Sequence, residues 1–131
     1  INLTEKPVIA SHSNSRAVCN VSRNLTDDMF RAICETGGVA GVNLYHDFVG
    51  ENGDLDPVCQ HILHFVELDP DCKHIALGGD LDGCDHLAVG FEGIQSYPAL
   101  AARLLDRGLT GKMVQDIFWN NAMGVMNTCC M

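Results

Sequence analysis

Three short apolar segments that end abruptly in polar residues most constrain how this 131-residue chain can fold. They cover Val8–Ser11, Val39–Tyr45 and His74–Leu77, and helical periodicity follows each of them. Almost uninterrupted apolar strands are typical of parallel sheets that are buried on both faces. Alternating strands and helices indicate right-handed β/α units. The sequence therefore predicts an α/β fold in which polar residues at the carboxyl ends of the strands form a site.

Helix signals agree with this order. Thr26 is placed to cap a helix with acidic residues in its first turn, and Gly37 and Gly38 end that helix. Pro57 occupies the first turn of a helix that begins near Asp56, after a turn-rich loop at residues 50–54. Two further helices are predicted at about residues 98–106 and 110–126. Three such strands need more neighbours than this chain supplies, so we expect it to form part of a larger sheet or barrel.

Composition excludes several classes of partner. The formal net charge of −9 leaves no basic surface for nucleic acid or for an anionic membrane. No apolar stretch approaches the roughly 18 residues of a membrane span, and no secretory signal is visible. The seven cysteines have no C-x-x-C spacing, which favours reduced thiols and a cytoplasmic protein.

Most candidate site residues follow the strands, Arg23 follows the His12 loop, and the local pattern leaves two interpretations open for each. His12 has an imidazole suited to zinc, although a lone histidine is more often structural. Asp80 and Asp82 either bind a cation and transfer protons or cap backbone amides in a turn. Arg23 either binds a substrate carboxylate or forms a surface pair with Asp27 or its neighbour Asp28. The remaining histidines are scattered, apart from two with i, i+3 spacing on one helix, His61 and His64.

Several segments, taken in order, carry a family resemblance. They are Pro7–Arg16, Arg23–Asp27, Val39–Tyr45 and Gly78–Gly83, followed by Phe91–Gly93 and Ser96–Pro98. Together they resemble the membrane dipeptidase (renal dipeptidase) family of zinc peptidases. The resemblance covers essentially the whole chain, and the ordered set is far more specific than any one segment.

The resemblance implies a metal-dependent hydrolase on a (β/α)8 barrel that splits dipeptides with the help of two zinc ions. His12 matches a zinc-ligating histidine of the family. Asp80 matches the acidic residue that lies near the metal-bridging water and passes a proton to the leaving amine. Arg23 matches the arginine that holds the terminal carboxylate of the substrate.

The departures from the family pattern are large. The family's His-x-Asp pair, its bridging glutamate and another histidine ligand have no counterpart here, and a complete barrel needs about 250 residues. The resemblance therefore implies that residues 1–131 are the carboxyl-terminal portion of one barrel domain, about strands six to eight. Because one histidine cannot hold two zinc ions, we expect the isolated chain to be inactive. The expected partners are a dipeptide and the missing amino-terminal half of the barrel, as a separate chain or otherwise, and a homodimer is left open.

Two alternatives to the peptidase remain. Asp80-Leu81-Asp82-Gly83 also resembles the Asp-x-Asp-Gly segment of haloacid dehalogenase-like phosphatases. In those enzymes the segment follows the first strand and a lysine lies downstream, whereas here it follows the third strand and Lys112 is the only later lysine. The other alternative is a non-catalytic barrel remnant that serves as a binding module.

Overall fold

The computed structural model describes residues 4–50 and 56–130, so most of the predicted 50–54 loop lies outside the described residues. The strands are β1 (Ile9–Ala10), β2 (Val39–Asn43) and β3 (Ile75–Gly79). The helices are α1 (Asp27–Glu35), α2 (His46–Val49), α3 (Asp56–Leu68), α4 (Tyr97–Asp106), α5 (Gly111–Gln115) and α6 (Asn121–Cys130). A 3-10 turn at Ile94–Ser96 precedes α4, and a π turn at Asp116–Asn120 separates α5 from α6.

The strands form a parallel sheet in the order β1-β2-β3, which confirms the predicted β/α pattern. The first strand is shorter than predicted, because Val8 and Ser11 lie outside the ladder. Ser13 then returns to it, and its backbone N donates to the carbonyl oxygen of Gly41 at 2.7 Å. The third strand runs two residues further than predicted, through Gly78 and Gly79.

The helix signals at α1 and α3 are also confirmed. The Thr26 side chain accepts a hydrogen bond from the backbone N of Met29 at 3.2 Å, so it caps α1 as expected. Gly37 has a φ of +72°, which ends the helix in a left-handed turn that glycine adopts readily. The third helix, α3, includes Asp56 and Pro57 in its first turn.

The predicted helix over residues 110–126 is divided. The π turn interrupts it, and Asn121, the first residue of α6, donates through Nδ2 to the carbonyl oxygens of Cys72 and Ile75 at 2.7 and 2.8 Å. This contact ties the last part of the chain to the amino end of β3. Apolar periodicity does not register a single wider turn inside a helix, and the sequence therefore gave no signal for the break.

The main core lies between one face of the sheet and the helices. The rings of Phe30 in α1 and Phe65 in α3 stack with centroids 4.2 Å apart, and Leu100 and Leu104 of α4 are fully buried in the same cluster. Alternate strand residues point to the opposite face. There Val39 and Ala76 pack against Val125 of α6. Of the helices that the structure describes, none has the length and apolar character to cross a bilayer.

Candidate active site

His12 lies in a segment that passes directly over the glycines of the sheet. A Cβ atom on Gly78 would lie 2.1 Å from the carbonyl oxygen of Ser11 and 2.9 Å from the Cα of His12. A Cβ on Gly41 would lie 2.4 Å from the same oxygen. Glycine at both positions therefore lets the His12 segment cross β2 and approach the end of β3.

The imidazole of His12 is partly exposed and lies beside a hydroxyl group. Its Nδ1 lies 2.7 Å from the hydroxyl oxygen of Ser11. When Nδ1 carries the proton and donates to that hydroxyl, Nε2 holds a free lone pair, which is the tautomer that a metal ion requires. Ser11 therefore orients the ring in the way that groups behind a metal-ligating histidine do.

Hydrogen bonds to its backbone carbonyl oxygen and to its carboxylate hold Asp80 in place. Its φ of +62° is unusual for a residue with a side chain, and its carbonyl oxygen accepts from the backbone N of Gly83 at 3.1 Å. The Oδ2 atom accepts from Nδ2 of Asn43 at 3.2 Å. A Cβ on Gly83 would lie 2.0 Å from Oδ1, so the Gly83 backbone limits the other side of the carboxylate. The second predicted carboxylate, Asp82, is exposed.

Arg23 points towards the His12 segment and does not form the alternative surface pair. Its Nη1 donates to Oγ of Ser13 at 2.8 Å, and its Cζ lies 5.8 Å from the centroid of the Phe48 ring. The two nearby carboxylates have other partners. Asp27 pairs with His64 at 2.8 Å, and Asp28 pairs with Arg31 at 3.2 Å.

Two buried amides that the sequence analysis did not single out connect these segments. The side chain of Asn14 accepts from the backbone N of Asn43 at 2.7 Å and donates to its carbonyl oxygen at 3.0 Å. The Asn43 side chain in turn contacts Asp80. The stretch from Ser11 to Asn14 therefore carries His12, holds Arg23 through Ser13 and reaches Asp80 through Asn43. All three predicted residues lie at the carboxyl end of one sheet.

His61 supports the same loop and is not a free ligand. Its Nδ1 accepts from the backbone N of Ser15 at 3.1 Å, so Nε2 carries the proton and donates to the carbonyl oxygen of Val49 at 2.9 Å. Burial lowers the pKa of His61 to about 4, and the positive charge of nearby His64 acts in the same direction. The imidazole is therefore neutral near pH 7, and its role is structural.

A cleft of about 230 Å³ opens beside Asp80. It is lined by Tyr45, Phe48, Asp80, Gly83, Cys84 and Asp85. Burial raises the pKa of the Cys84 thiol, and the charges of Asp80 and Asp85 raise it further. The Tyr45 hydroxyl donates to Asp47, and that hydrogen bond, followed by the Asp47 charge, raises the pKa of Tyr45. The carboxylates of Asp80 and Asp85 line the cleft and give it a negative potential, which suits a cationic group.

The described residues supply only part of a metal site. Within residues 4–50 and 56–130, no group of three or more His, Cys, Asp or Glu side chains is arranged to hold a metal ion. The imidazole of His12 fits one ligand position, because its ring is accessible and its Nδ1 has a hydroxyl partner. A metal bound here would need further ligands from outside the described residues.

Comparisons with known proteins agree with the resemblance of the sequence to membrane dipeptidases. The family model of membrane dipeptidases, peptidase family M19, matches residues 1–129. An uncharacterized dipeptidase of Schizosaccharomyces pombe is 36% identical over 131 residues, covering 98% of this chain and 32% of the relative. The dipeptidase aclJ of Aspergillus oryzae is 33% identical over 129 residues, covering 95% of this chain and 30% of the relative.

Solved structures show the same fold. A metallopeptidase from Rhodobacter sphaeroides, liganded with a phosphinate mimic of the dipeptide L-Ala-D-Ala, superposes with a TM-score of 0.87 at 28% identity. The match covers 96% of this chain and 37% of that structure. The chain thus spans about a third of the length of the dipeptidases that it matches. These findings do not favour the phosphatase alternative, and they match the ordered motifs and the parallel β/α fold. The chain belongs to the membrane dipeptidase family.

Proposed function

We propose that this chain is the carboxyl-terminal portion of a zinc dipeptidase barrel and supplies part of its active site. His12 is a zinc ligand, Asp80 is the acid and base near the amino end of the substrate, and Arg23 binds the terminal carboxylate. The observation that carries the proposal is the hydrogen-bonded stretch from Ser11 to Asn14, which links the segments bearing all three residues. The remaining strands and ligands come from a segment outside these 131 residues.

The charges of the site match the two ends of a dipeptide. The guanidinium of Arg23 suits a carboxylate, which it can bind through two hydrogen bonds. The cleft beside Asp80 carries negative potential and suits an ammonium group. Groups that bind both termini favour substrates of fixed length, and the dipeptide mimic bound by the Rhodobacter sphaeroides metallopeptidase supports this substrate class.

The residues of this chain fit the chemistry of peptide hydrolysis. Zinc, when bound, polarises the scissile carbonyl and makes hydroxide available near neutral pH. His12 would hold the metal through Nε2, with Ser11 at its Nδ1 fixing the ring. The carboxylate of Asp80 takes a proton from the attacking water and delivers it to the nitrogen of the leaving amine.

The cellular location is a separate part of the proposal. The seven cysteines are present as thiols and not as disulfides, and Cys59 and Cys72 are buried among apolar side chains. Reduced thiols in this number support a reducing compartment, so we propose a cytoplasmic protein.

The proposal is tested on the assembled enzyme, meaning this chain together with the segment that completes its site. We expect hydrolysis of dipeptides with zinc and no turnover of phosphate esters with magnesium. In His12→Ala we expect the zinc content and kcat to fall together, whereas Arg23→Met mainly raises KM. The matched control is His64→Ala, because His64 pairs with Asp27 on the helices and lies outside the proposed machinery. An assembled protein without zinc and without dipeptidase activity would support the non-catalytic remnant.

A further inference from the structure

We propose that Asn43 is a positioning residue for Asp80, and that its side-chain amide sets the direction in which the Asp80 carboxylate presents its free oxygen. This inference rests on the proposed function, because it assumes that Asp80 transfers the proton. The contact that carries it joins residues 37 positions apart in the chain, with Nδ2 of Asn43 lying 3.2 Å from Oδ2 of Asp80.

The orientation of the Asn43 amide is fixed by a second hydrogen bond. Its Oδ1 atom accepts from the backbone N of Tyr45 at 2.5 Å. A backbone N–H can only donate, so the oxygen of the amide must face Tyr45 and the NH₂ group must face Asp80. Asn43 therefore donates to the Asp80 carboxylate and occupies one of its two oxygens.

The backbone of Asn43 is fixed as well. Asn14 bonds both its N–H and its carbonyl oxygen, and both asparagines are fully buried. These two hydrogen bonds lie where the register between β2 and β3 becomes irregular, between Val42 and Asn43. A buried polar group with all its partners in place is rigid, so Asn43 forms a firm support for Asp80.

Asp80 needs such a support because its own backbone is in a sparsely populated conformation. A left-handed φ at a residue with a side chain persists only where the surroundings enforce it. Asn43 restrains Oδ2, and the Gly83 backbone limits the space on the Oδ1 side. Loss of the Asn43 donor would let the carboxylate turn about its own bond while Arg23 still binds substrate.

The decisive variant is Asn43→Asp in the assembled enzyme. It keeps an oxygen towards the Tyr45 N–H but replaces the NH₂ donor with an oxygen that repels Asp80. We expect kcat to fall by about tenfold or more, the usual effect of removing a group that orients a reacting residue. KM should change by less than about twofold, because the carboxylate-binding arginine is untouched. A purely structural role would not produce this separation of kcat from KM.

The matched control is Asn121→Asp, the same chemical change at the opposite end of β3. Asn121 donates to the carbonyl oxygens of Cys72 and Ile75, so its loss should lower the melting temperature and leave kcat unchanged. The proposal is overturned if Asn43→Asp lowers kcat no more than Asn121→Asp does.

A double variant tests the contact between Asn43 and Asp80 without an activity assay. It also separates loss of this contact from a general loss of stability. Combining Asn43→Asp with Asp80→Asn restores a donor facing an acceptor, with the two groups exchanged. We expect the double variant to melt at a higher temperature than Asn43→Asp alone, which measures coupling between the two positions. The absence of any recovery would also overturn the proposal. Failure of the proposed function has a different signature, namely a wild-type enzyme that does not hydrolyse dipeptides while the stability coupling persists.

Discussion

At the scale of single residues, buried amides and one neutral imidazole hold the candidate catalytic groups in place. His61 accepts from Ser15 and donates to Val49, and it therefore anchors the loop that follows His12. Asn14 and Asn43 fasten the same loop to β2. The three site residues thus depend on neighbours that take no direct part in chemistry.

His61 makes the stability of the fold depend on pH. Its pKa of about 4 in the folded protein lies below the ordinary histidine value of 6.5, so between these values the unfolded chain binds more protons than the folded one. Stability should therefore rise with pH across this window and fall on acidification, by on the order of 3 kcal/mol in total. Urea unfolding at several pH values measures this slope. His61→Leu should have a lower free energy of unfolding near pH 7, but that free energy should fall less on acidification than it does in the wild type. If the pH dependence of the variant equals that of the wild type, the low pKa of His61 is refuted.

The sequence predicts the candidate catalytic and binding residues, but it does not predict the residues that support them. His12 and Asp80 can be identified because they directly follow predicted strands, and Arg23 because it matches a carboxylate-binding position of the family. Asn14 and Asn43 also lie in the segments that carry the resemblance, but their role cannot be read from the sequence because it depends on a contact across 29 positions and on complete burial. An asparagine beside a strand has the same local pattern whether it caps a turn or joins two strands.

At the scale of elements, local signals predict the ends of helices better than they predict departures from regular geometry. Thr26 marks the start of α1, and Pro57 marks the start of α3, because both act within a single turn. The departure of Ser11 from the ladder and the π turn before Asn121 were not predicted. Both depend on which distant residues the chain must contact, and short-range periodicity does not contain that information.

The crossing of the His12 segment over β2 to the end of β3 depends on the absence of a side chain at Gly78. In the assembled enzyme we expect Gly78→Ala to lower stability and to abolish zinc-dependent activity, because the added carbon would overlap the Ser11 carbonyl oxygen. Gly124→Ala is the matched control, since Gly124 lies in α6 with open space around its Cα. It should be active and up to about 1 kcal/mol more stable. Thermal unfolding and zinc content distinguish Gly78→Ala from Gly124→Ala. A fully active Gly78→Ala enzyme would contradict the proposed role of Gly78 in the crossing.

At the scale of the whole molecule, the chain supplies a core and one set of site residues but an incomplete sheet. Within the described residues the sheet has three strands, whereas the proposed (β/α)8 barrel has eight. The chain also spans about a third of the dipeptidases that it matches. The sequence predicts this incompleteness, because strands with apolar residues on both faces need more cover than 131 residues provide.

Dipeptide hydrolysis should therefore require this chain together with the segment that completes its site. We expect the isolated 131-residue chain to hydrolyse no dipeptide at a measurable rate with added zinc, since its described residues hold no group of three or more metal-binding side chains. Adding the segment that carries the other ligands should restore turnover. A direct assay of the purified chain, with its mass verified, provides the measurement, and zinc-dependent hydrolysis by the chain alone would contradict the prediction.

The most direct test of the central claim is a crystal structure of the assembled enzyme with a dipeptide mimic, recorded at the zinc absorption edge. We predict an anomalous peak within bonding distance of Nε2 of His12. In the same map the carboxylate of the mimic should contact Arg23, and its amino end should lie beside Asp80. Zinc bound away from His12, or a mimic that contacts neither Arg23 nor Asp80, would contradict the account.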